Sequence, residues 1–367
     1  MMKKTMLDYI HQTPAVLEKL LRDSETQTAA LTDLLCSRPW RILRLVASGS
    51  SGNAAWCARP MLRRLLGMEV LVTPPHSFVH HENTPADDEL VLVISQSGYS
   101  TNALAALELL REQGRLAVGL TGDPESDMKG VCDLLVDYGC GPETVGYVTK
   151  GVCALILFLQ LLGLEYACRT SRLSAHQASD LREHLSAAIG GMECCIARTP
   201  EFIDKHYLEL SSLGVVYLCG SGSCYGGALE GALKLCETLQ IPAIAYETEE
   251  YLHGPELQMT PNHTVFFLDD GGSASPRVRT LWESTRLVTR RCYLLSCGAG
   301  PLEEPDCLFL SHSGDSDASV LSFLPFFQIL SYRMTEEKHL WHKHPLCAQL
   351  EGAVNGKSSN YVHKEVL

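Results

Sequence analysis

Apolar residues in the first 36 positions, Leu7, Ile10, Leu17 and Leu20 among them, recur at helical spacing, and no strand-like run precedes Trp40. This predicts an N-terminal helical segment over residues 1–36. From Arg41 the pattern changes to short apolar runs that end in Gly/Ser clusters and lead into helical stretches. That alternation is the mark of βαβ units and a parallel sheet. The first set reads as a strand over 42–47, a glycine turn over 48–52, a helix over 54–66 and a strand over 69–72. A strand over 90–94, the loop Ser95-Gln96-Ser97-Gly98, a helix over 101–113 and a strand over 116–120 follow. The run 89–94 is almost wholly β-branched or Leu, as expected of a strand covered on both faces.

A second copy follows in the other half of the chain: a strand over 215–219, the turn Gly220-Ser221-Gly222-Ser223, a helix over 228–240, and strands over 241–245 and 264–268. Repetition of the whole pattern predicts a duplicated fold. The polar helical stretch 174–210, with Gly190-Gly191 as a break, joins the copies. The expected divisions are a helical segment 1–36, a first module 37–173, a helical linker 174–210, a second module 211–345 and a tail 346–367.

The copies differ where it matters for chemistry. After its third strand the second has Asp269-Asp270-Gly271-Gly272, whose carboxylates repel an anion, in place of Ser95-Gln96-Ser97-Gly98. A parallel strand that ends in small hydroxyl residues and opens into a helix gathers backbone N–H groups and hydroxyls around one point, at the positive end of the helix dipole. Ser95, Ser97, Ser100 and Thr101 supply the hydroxyls, Gln96 can reach a sugar hydroxyl, and the turn 48–52 can face the loop. The alternative is an ordinary strand-to-helix turn with Ser and Thr as caps. Neither the G-x-G-x-x-G dinucleotide fingerprint nor the G-x-x-x-x-G-K-[ST] phosphate loop is present. No cofactor is expected.

The chain has 367 residues, 30 Lys plus Arg against 43 Asp plus Glu, and a net charge of −13. Any anion site must therefore work by local geometry against the overall field, and nucleic acid is not an expected partner. The N-terminus turns polar too soon for a secretion signal, and the apolar stretch 152–164 is too short for a membrane span, so it reads as a buried helix. A cytoplasmic protein with no membrane partner is expected. The 15 cysteines lack metal-ligand spacing and read as reduced, mostly buried thiols. His80-His81 and the run His339, His342, His344 have no Cys nearby and read as helix-end histidines, so no metal is expected.

Four pieces of sequence, in order, carry a resemblance: Ser95–Gly98, Gly141-Pro142-Glu143-Thr144-Val145-Gly146-Tyr147-Val148-Thr149-Lys150, Leu229–Glu237, and Tyr251-Leu252-His253-Gly254-Pro255. Over roughly residues 40–367 the chain resembles the double-SIS (sugar isomerase) family, in particular the isomerase half of glucosamine-fructose-6-phosphate synthases and the free-standing fructosamine-6-phosphate deglycases. The resemblance implies an α/β fold of two tandem doubly wound, flavodoxin-like parallel-sheet modules. It places phosphate and sugar contacts on Ser51, Ser95, Gln96, Ser97 and Ser100, the catalytic carboxylate on Glu237, and the ring-opening histidine on His253, which in relatives reaches into the neighbouring subunit's site. A homodimer with shared sites is implied. The family's amine-presenting terminal lysine falls on Lys364, with Lys357 close by.

Interconverting a ketose and an aldose phosphate, or releasing an amine from C1, moves a proton between C1 and C2 through an enediol or enolamine, work suited to a carboxylate. Glu230, Lys234 and Glu237 share one helix face. By themselves they read equally as a solvated ion-pair row. Glu247, Glu249 and Glu250 add a negative patch that suits an amine-bearing sugar. No cysteine-first glutaminase segment precedes the first module, so glutamine-dependent amination is not expected. The expected activity is that of a deglycase, isomerase or deaminase acting on a ketose or fructosamine 6-phosphate. The alternative is a regulatory SIS protein that binds sugar phosphate without turning it over.

Overall fold

Among the described residues the apolar runs form ten strands, and the glycine turns after the first and the sixth lead directly into helices. The computed structural model describes residues 4–298, 304–311 and 313–362. In chain order the first elements are α1 (Met6–Arg22), α2 (Ser24–Cys36), β1 (Ile42–Val46), α3 (Gly49–Leu66), β2 (Glu69–Thr73), α4 (Pro75–His80), β3 (Glu89–Ser95), α5 (Thr101–Glu112), β4 (Val118–Thr121), α6 (Met128–Val131), β5 (Leu134–Asp137) and α7 (Lys150–Arg169). There follow α8 (Ala175–Lys205), α9 (Tyr207–Leu210), β6 (Val216–Gly220), α10 (Ser223–Leu239), β7 (Ala243–Glu247), β8 (Thr264–Asp269), α11 (Ser275–Thr285), β9 (Cys292–Ser296), β10 (Cys307–Phe309), α12 (Val320–Lys338) and α13 (Pro345–Val354).

Two five-stranded sheets result, ordered β2-β1-β3-β4-β5 and β7-β6-β8-β9-β10, the same order in each copy. Every strand pairing is parallel. This is the doubly wound α/β arrangement that the sequence predicts. All seven residues of β3 are buried, in keeping with a run that carries no polar face. By its internal packing the chain divides into one unit of Lys19–Ala178 with the segment from His342, and another of Thr5–Glu18 with Ser179–Trp341.

In the first unit α7 is buried along nearly its whole length. Among the described residues it is the one helix long and apolar enough to cross a membrane, but 89% of its most apolar window is enclosed by protein. In the second unit Phe266 stacks on Tyr293, and Phe326 and Phe327 meet Phe266 edge-on in the core.

Two expectations change. The helices after β1 and β6 begin at Gly49 and Ser223, five residues earlier than the periodicity predicts, so Gly49–Gly52 is itself the first turn of α3, and α10 starts from the last residue of its glycine turn. Poor helix propensity is outweighed there by packing against the sheet. The helical stretch 174–210 does not break at Gly190-Gly191, because α8 runs through both. Gly191 serves a close approach instead, since a Cβ there would lie 2.4 Å from Ser322 Oγ.

Candidate functional site

In the first unit β1 and β3 lie side by side with Val46 opposite Val93, so the turns that follow them open at the same place. The strand order reverses at this pair, where doubly wound sheets bind ligands. A cavity of about 190 Å³ lies there, lined by Ser48, Ser50, Ser51, Ser95, Ser97 and Ser100, with Gln96 and Glu143 in its wall. All five residues to which the resemblance gives phosphate and sugar contacts therefore line one cavity. Ser51 and Ser95 are buried, and Ser97 and Ser100 are half-buried.

The serines are not helix caps. Neither Ser48 before α3 nor Ser100 before α5 bonds its side chain to its own helix. The Ser97 and Ser100 hydroxyls each accept instead from the Lys357 ammonium, at 2.9 Å. Lys357 is held there by the backbone: it forms an antiparallel bridge with Ser100, Thr101 N donates to Gly356 O at 3.3 Å, and Ser358 N donates to Tyr99 O at 2.9 Å. The Tyr361 ring, 5.2 Å from the Lys357 amine and 5.7 Å from the Tyr99 ring, closes that side. Among the described residues of the tail, Lys357 is thus a lysine that reaches the cavity. The sequence expectation falls on Lys364, which lies outside the described residues.

Glu143 is a lining residue to which sequence reasoning attached no role, although it stands in one of the four resembling pieces. Its carboxylate accepts from Thr149 N and Lys150 N at 2.9 Å, Gly151 N at 3.1 Å and Gln96 Nε2 at 2.8 Å.

Glu237 and His253 belong to the second unit. On α10 the Lys234 ammonium lies 2.8 Å from Glu237 and 3.4 Å from Glu230. The side chains of Lys234 and Glu230 are each 1% exposed and that of Glu237 is 32% exposed. The solvated ion-pair reading of this row is therefore overturned, because helical spacing gives the shared face but not what covers it. Burial works to lower the pKa of Lys234, but the charges of Glu230 and Glu237 and their hydrogen bonds outweigh it and leave the pKa above its ordinary value. The ammonium stays charged and anchors Glu237, whose carboxylate keeps access to solvent.

His253 sits exposed between two short 3-10 turns, Glu250–Leu252 and Pro255–Gln258, and its N–H donates to Glu250 O at 3.1 Å. The acidic patch beside it is less negative than its sequence reads. Glu247 accepts from Ser221 Oγ at 2.8 Å and Glu249 N at 2.8 Å. Glu249 forms a two-pronged ion pair with Arg277, at 2.5 and 3.1 Å, which holds its pKa below the usual range.

The counterpart of the serine loop after β8 is filled by its own carboxylates. Asp269 is fully buried on Arg279 Nε at 3.1 Å, Ser296 Oγ at 2.8 Å and Gly271 N at 3.0 Å. Burial raises the pKa of neighbouring Asp270, against the Gly272 N–H that favours its charged form. Among the described residues no three His, Cys, Asp or Glu side chains are grouped so as to hold a metal ion.

Comparison with known proteins agrees with this architecture. The glutamine–fructose-6-phosphate aminotransferase [isomerizing] of Chlamydia trachomatis serovar D is 25% identical over 91% of this chain and 55% of its own length. That of Zymomonas mobilis is 28% identical over 69% of this chain and 42% of its own. The chain thus spans about half the length of the curated relatives it matches. Among solved structures, the C-terminal domain of glucosamine-fructose-6-phosphate aminotransferase from Francisella tularensis superposes with a TM-score of 0.80 at 21% identity, over 92% of this chain and 97% of that one, a likeness of fold. The SIS domain model matches residues 38–164 and 209–320, well over half of the sequence, and the chain belongs to the SIS domain family.

Proposed function

We propose that this protein is an enzyme that acts on a ketose or fructosamine 6-phosphate by moving a proton between C1 and C2. The observation that carries the reading is the serine-lined cavity with Lys357 in its wall. The hydroxyls of Ser51, Ser95, Ser97 and Ser100 take the phosphate oxygens, with the positive ends of α3 and α5 behind them. Lys357 adds a charge-assisted donor. Glu237 takes the proton from one carbon of the open-chain sugar and returns it to the other through the enediol or enolamine. His253 transfers the ring-opening proton, acting in the site of a partner subunit, so the working protein is a homodimer.

Depending on the substituent at C1 or C2, the outcome is aldose–ketose isomerisation, release of ammonia, or release of an amine by a deglycase. Similar proteins span such chemistry by name, including a glucosamine-6-phosphate deaminase of Thermotoga maritima. All fifteen cysteines are free thiols, which supports work in the reducing cytosol.

The test is a panel of hexose and fructosamine 6-phosphates, assayed for binding by thermal shift and for turnover. Glu237→Gln should keep binding and lose turnover about 10²–10⁴-fold, the range for a positioned acid–base group. A wild type that binds members of the panel and turns over none would refute the enzyme and leave a sugar-phosphate-binding regulator.

A further inference from the structure

A carboxylate in the wall of an anion cavity is an electrostatic liability unless donors neutralise it. Glu143 is only 5% exposed and stands in the wall of the serine-lined cavity. Four N–H donors converge on it, three from the start of α7 and one from the Gln96 side chain. The N-cap Thr149 makes no side-chain cap bond and donates its hydroxyl to Tyr147 O at 2.9 Å. Glu143, six residues earlier, takes over the cap at the positive end of the helix.

The fourth donor has a consequence for the ligand. An ionised carboxylate only accepts hydrogen bonds, so it admits the nitrogen branch of the Gln96 amide and rejects the oxygen branch. The amide is pressed against the helix as well, since a Cβ on Gly151 would lie 2.2 Å from Gln96 Nε2. From the other side the main-chain oxygen of Gln96 accepts from Gly122 N at 3.0 Å and Thr121 Oγ1 at 3.3 Å. Backbone and side chain of Gln96 are thus both held, and the orientation of its amide is dictated by the charge at position 143.

We propose that Glu143 is a positioning residue for the sugar: its carboxylate, acting through Gln96, sets which face of that amide the bound phosphosugar meets. It touches neither the phosphate nor the reacting carbons. The proposal rests on the reading of the cavity as a phosphosugar site.

The experiment measures binding of inorganic phosphate and of fructose 6-phosphate, or whichever member of the sugar panel binds, by calorimetry. The proteins are wild type, Glu143→Gln, Gln96→Ala, the double variant and Gly151→Ala. Glu143→Gln keeps an oxygen for Thr149 N and Lys150 N but turns its amide nitrogen toward Gly151 N and Gln96, so the Gln96 amide must turn over. Sugar phosphate affinity should fall about tenfold, the scale of one hydrogen bond lost with its buried partner left unsatisfied, and inorganic phosphate affinity less than threefold. In the Gln96→Ala background Glu143→Gln should add nothing further.

Gly151→Ala leaves Glu143 in place and improves helix propensity while unseating the amide, so it carries the same selective loss if Glu143→Gln does not fold. Sugar affinity within twofold of wild type in Glu143→Gln or in Gly151→Ala overturns the proposal. So does a penalty of equal size with and without Gln96. A wild type that binds none of the panel overturns the site reading and this proposal with it, whereas a binding wild type with indifferent variants overturns the proposal alone.

Discussion

Replacing Lys234 with methionine keeps the length of the stem and removes only the ammonium between Glu230 and Glu237. The two carboxylates then part ways. Glu237, with a third of its side chain exposed, can be hydrated, but Glu230 is 1% exposed and stays where it is. Breaking a buried pair by removing one partner costs about 3–5 kcal/mol. The acid has a lower-energy course, which is to keep its proton. Holding a glutamic acid neutral at pH 7 against an unfolded pKa of about 4.3 costs about 3.7 kcal/mol, at 1.36 kcal/mol per unit, and at pH 5 about 1 kcal/mol.

For a unit of this size those values lower Tm by about 7–15 °C at pH 7 and about 2–4 °C at pH 5. The signs follow from the two groups. In the variant the folded pKa of Glu230 is raised, so the deficit is present above it and fades as pH falls toward the unfolded value. In the wild type the raised pKa of Lys234 contributes stability that is present below about pH 10.4 and is lost as pH rises through the folded pKa. Thermal melts across pH 5–10 read the first, and over that range the Lys234 contribution stays constant. Adding Glu230→Gln to Lys234→Met should recover most of the loss. A shift under about 2 °C at pH 7, or one equally large at pH 5, would refute the account of a buried anchoring charge.

Gly98 has a φ of +70°, and a Cβ there would lie 1.8 Å from Ser126 Oγ. Gly98→Ala should cost about 1–2 kcal/mol for the left-handed backbone alone and abolish phosphate binding, with partial return on adding Ser126→Gly; unchanged phosphate calorimetry would contradict this. Lys357→Met should weaken fructose 6-phosphate binding about tenfold to a hundredfold by calorimetry, because one charge-assisted hydrogen bond is worth about 1.5–3 kcal/mol; wild-type affinity would show that the tail lysine does not meet the phosphate. Burial pushes the thiols of Cys140 and Cys307 up to about 11 and that of Cys132 up to about 12. Alkylation of the native protein at pH 8, read by mass spectrometry, should therefore mark the exposed Cys236 and Cys347 well before these three. Early labelling of Cys140 would count against the packing around the serine loop.

How far the site is legible in the sequence depends on whether its parts are local. The run 89–94 followed by Ser-Gln-Ser-Gly announces a buried strand and an anion-friendly turn within a dozen residues, and the structure builds that strand and turn. Glu143 is not local to the loop it serves, 47 positions away from Gln96. Its motif could be noticed, but its four donors could not be enumerated from spacing. The place of Lys357 has the same character: nothing in the polar tail sequence announces the backbone bridge to Ser100 that brings this lysine to the cavity.

By itself the sequence determined what periodicity and strand chemistry encode: seven of the strands, arranged as two copies of one parallel α/β pattern, with a serine loop in one copy and a carboxylate loop in the other. These follow from short-range preferences, since a β-branched run without a polar face can only be a doubly covered strand, and such strands in alternation with helices can only be parallel. Tertiary structure decided where the helices begin, that α8 continues through Gly190-Gly191, and that the Glu230–Lys234–Glu237 row is buried rather than solvated. It also gathered residues from Ser48 to Tyr361 into one cavity wall. Each of those outcomes depends on which surface lies against which, and burial, not spacing, sets the worth of a charge or a glycine there.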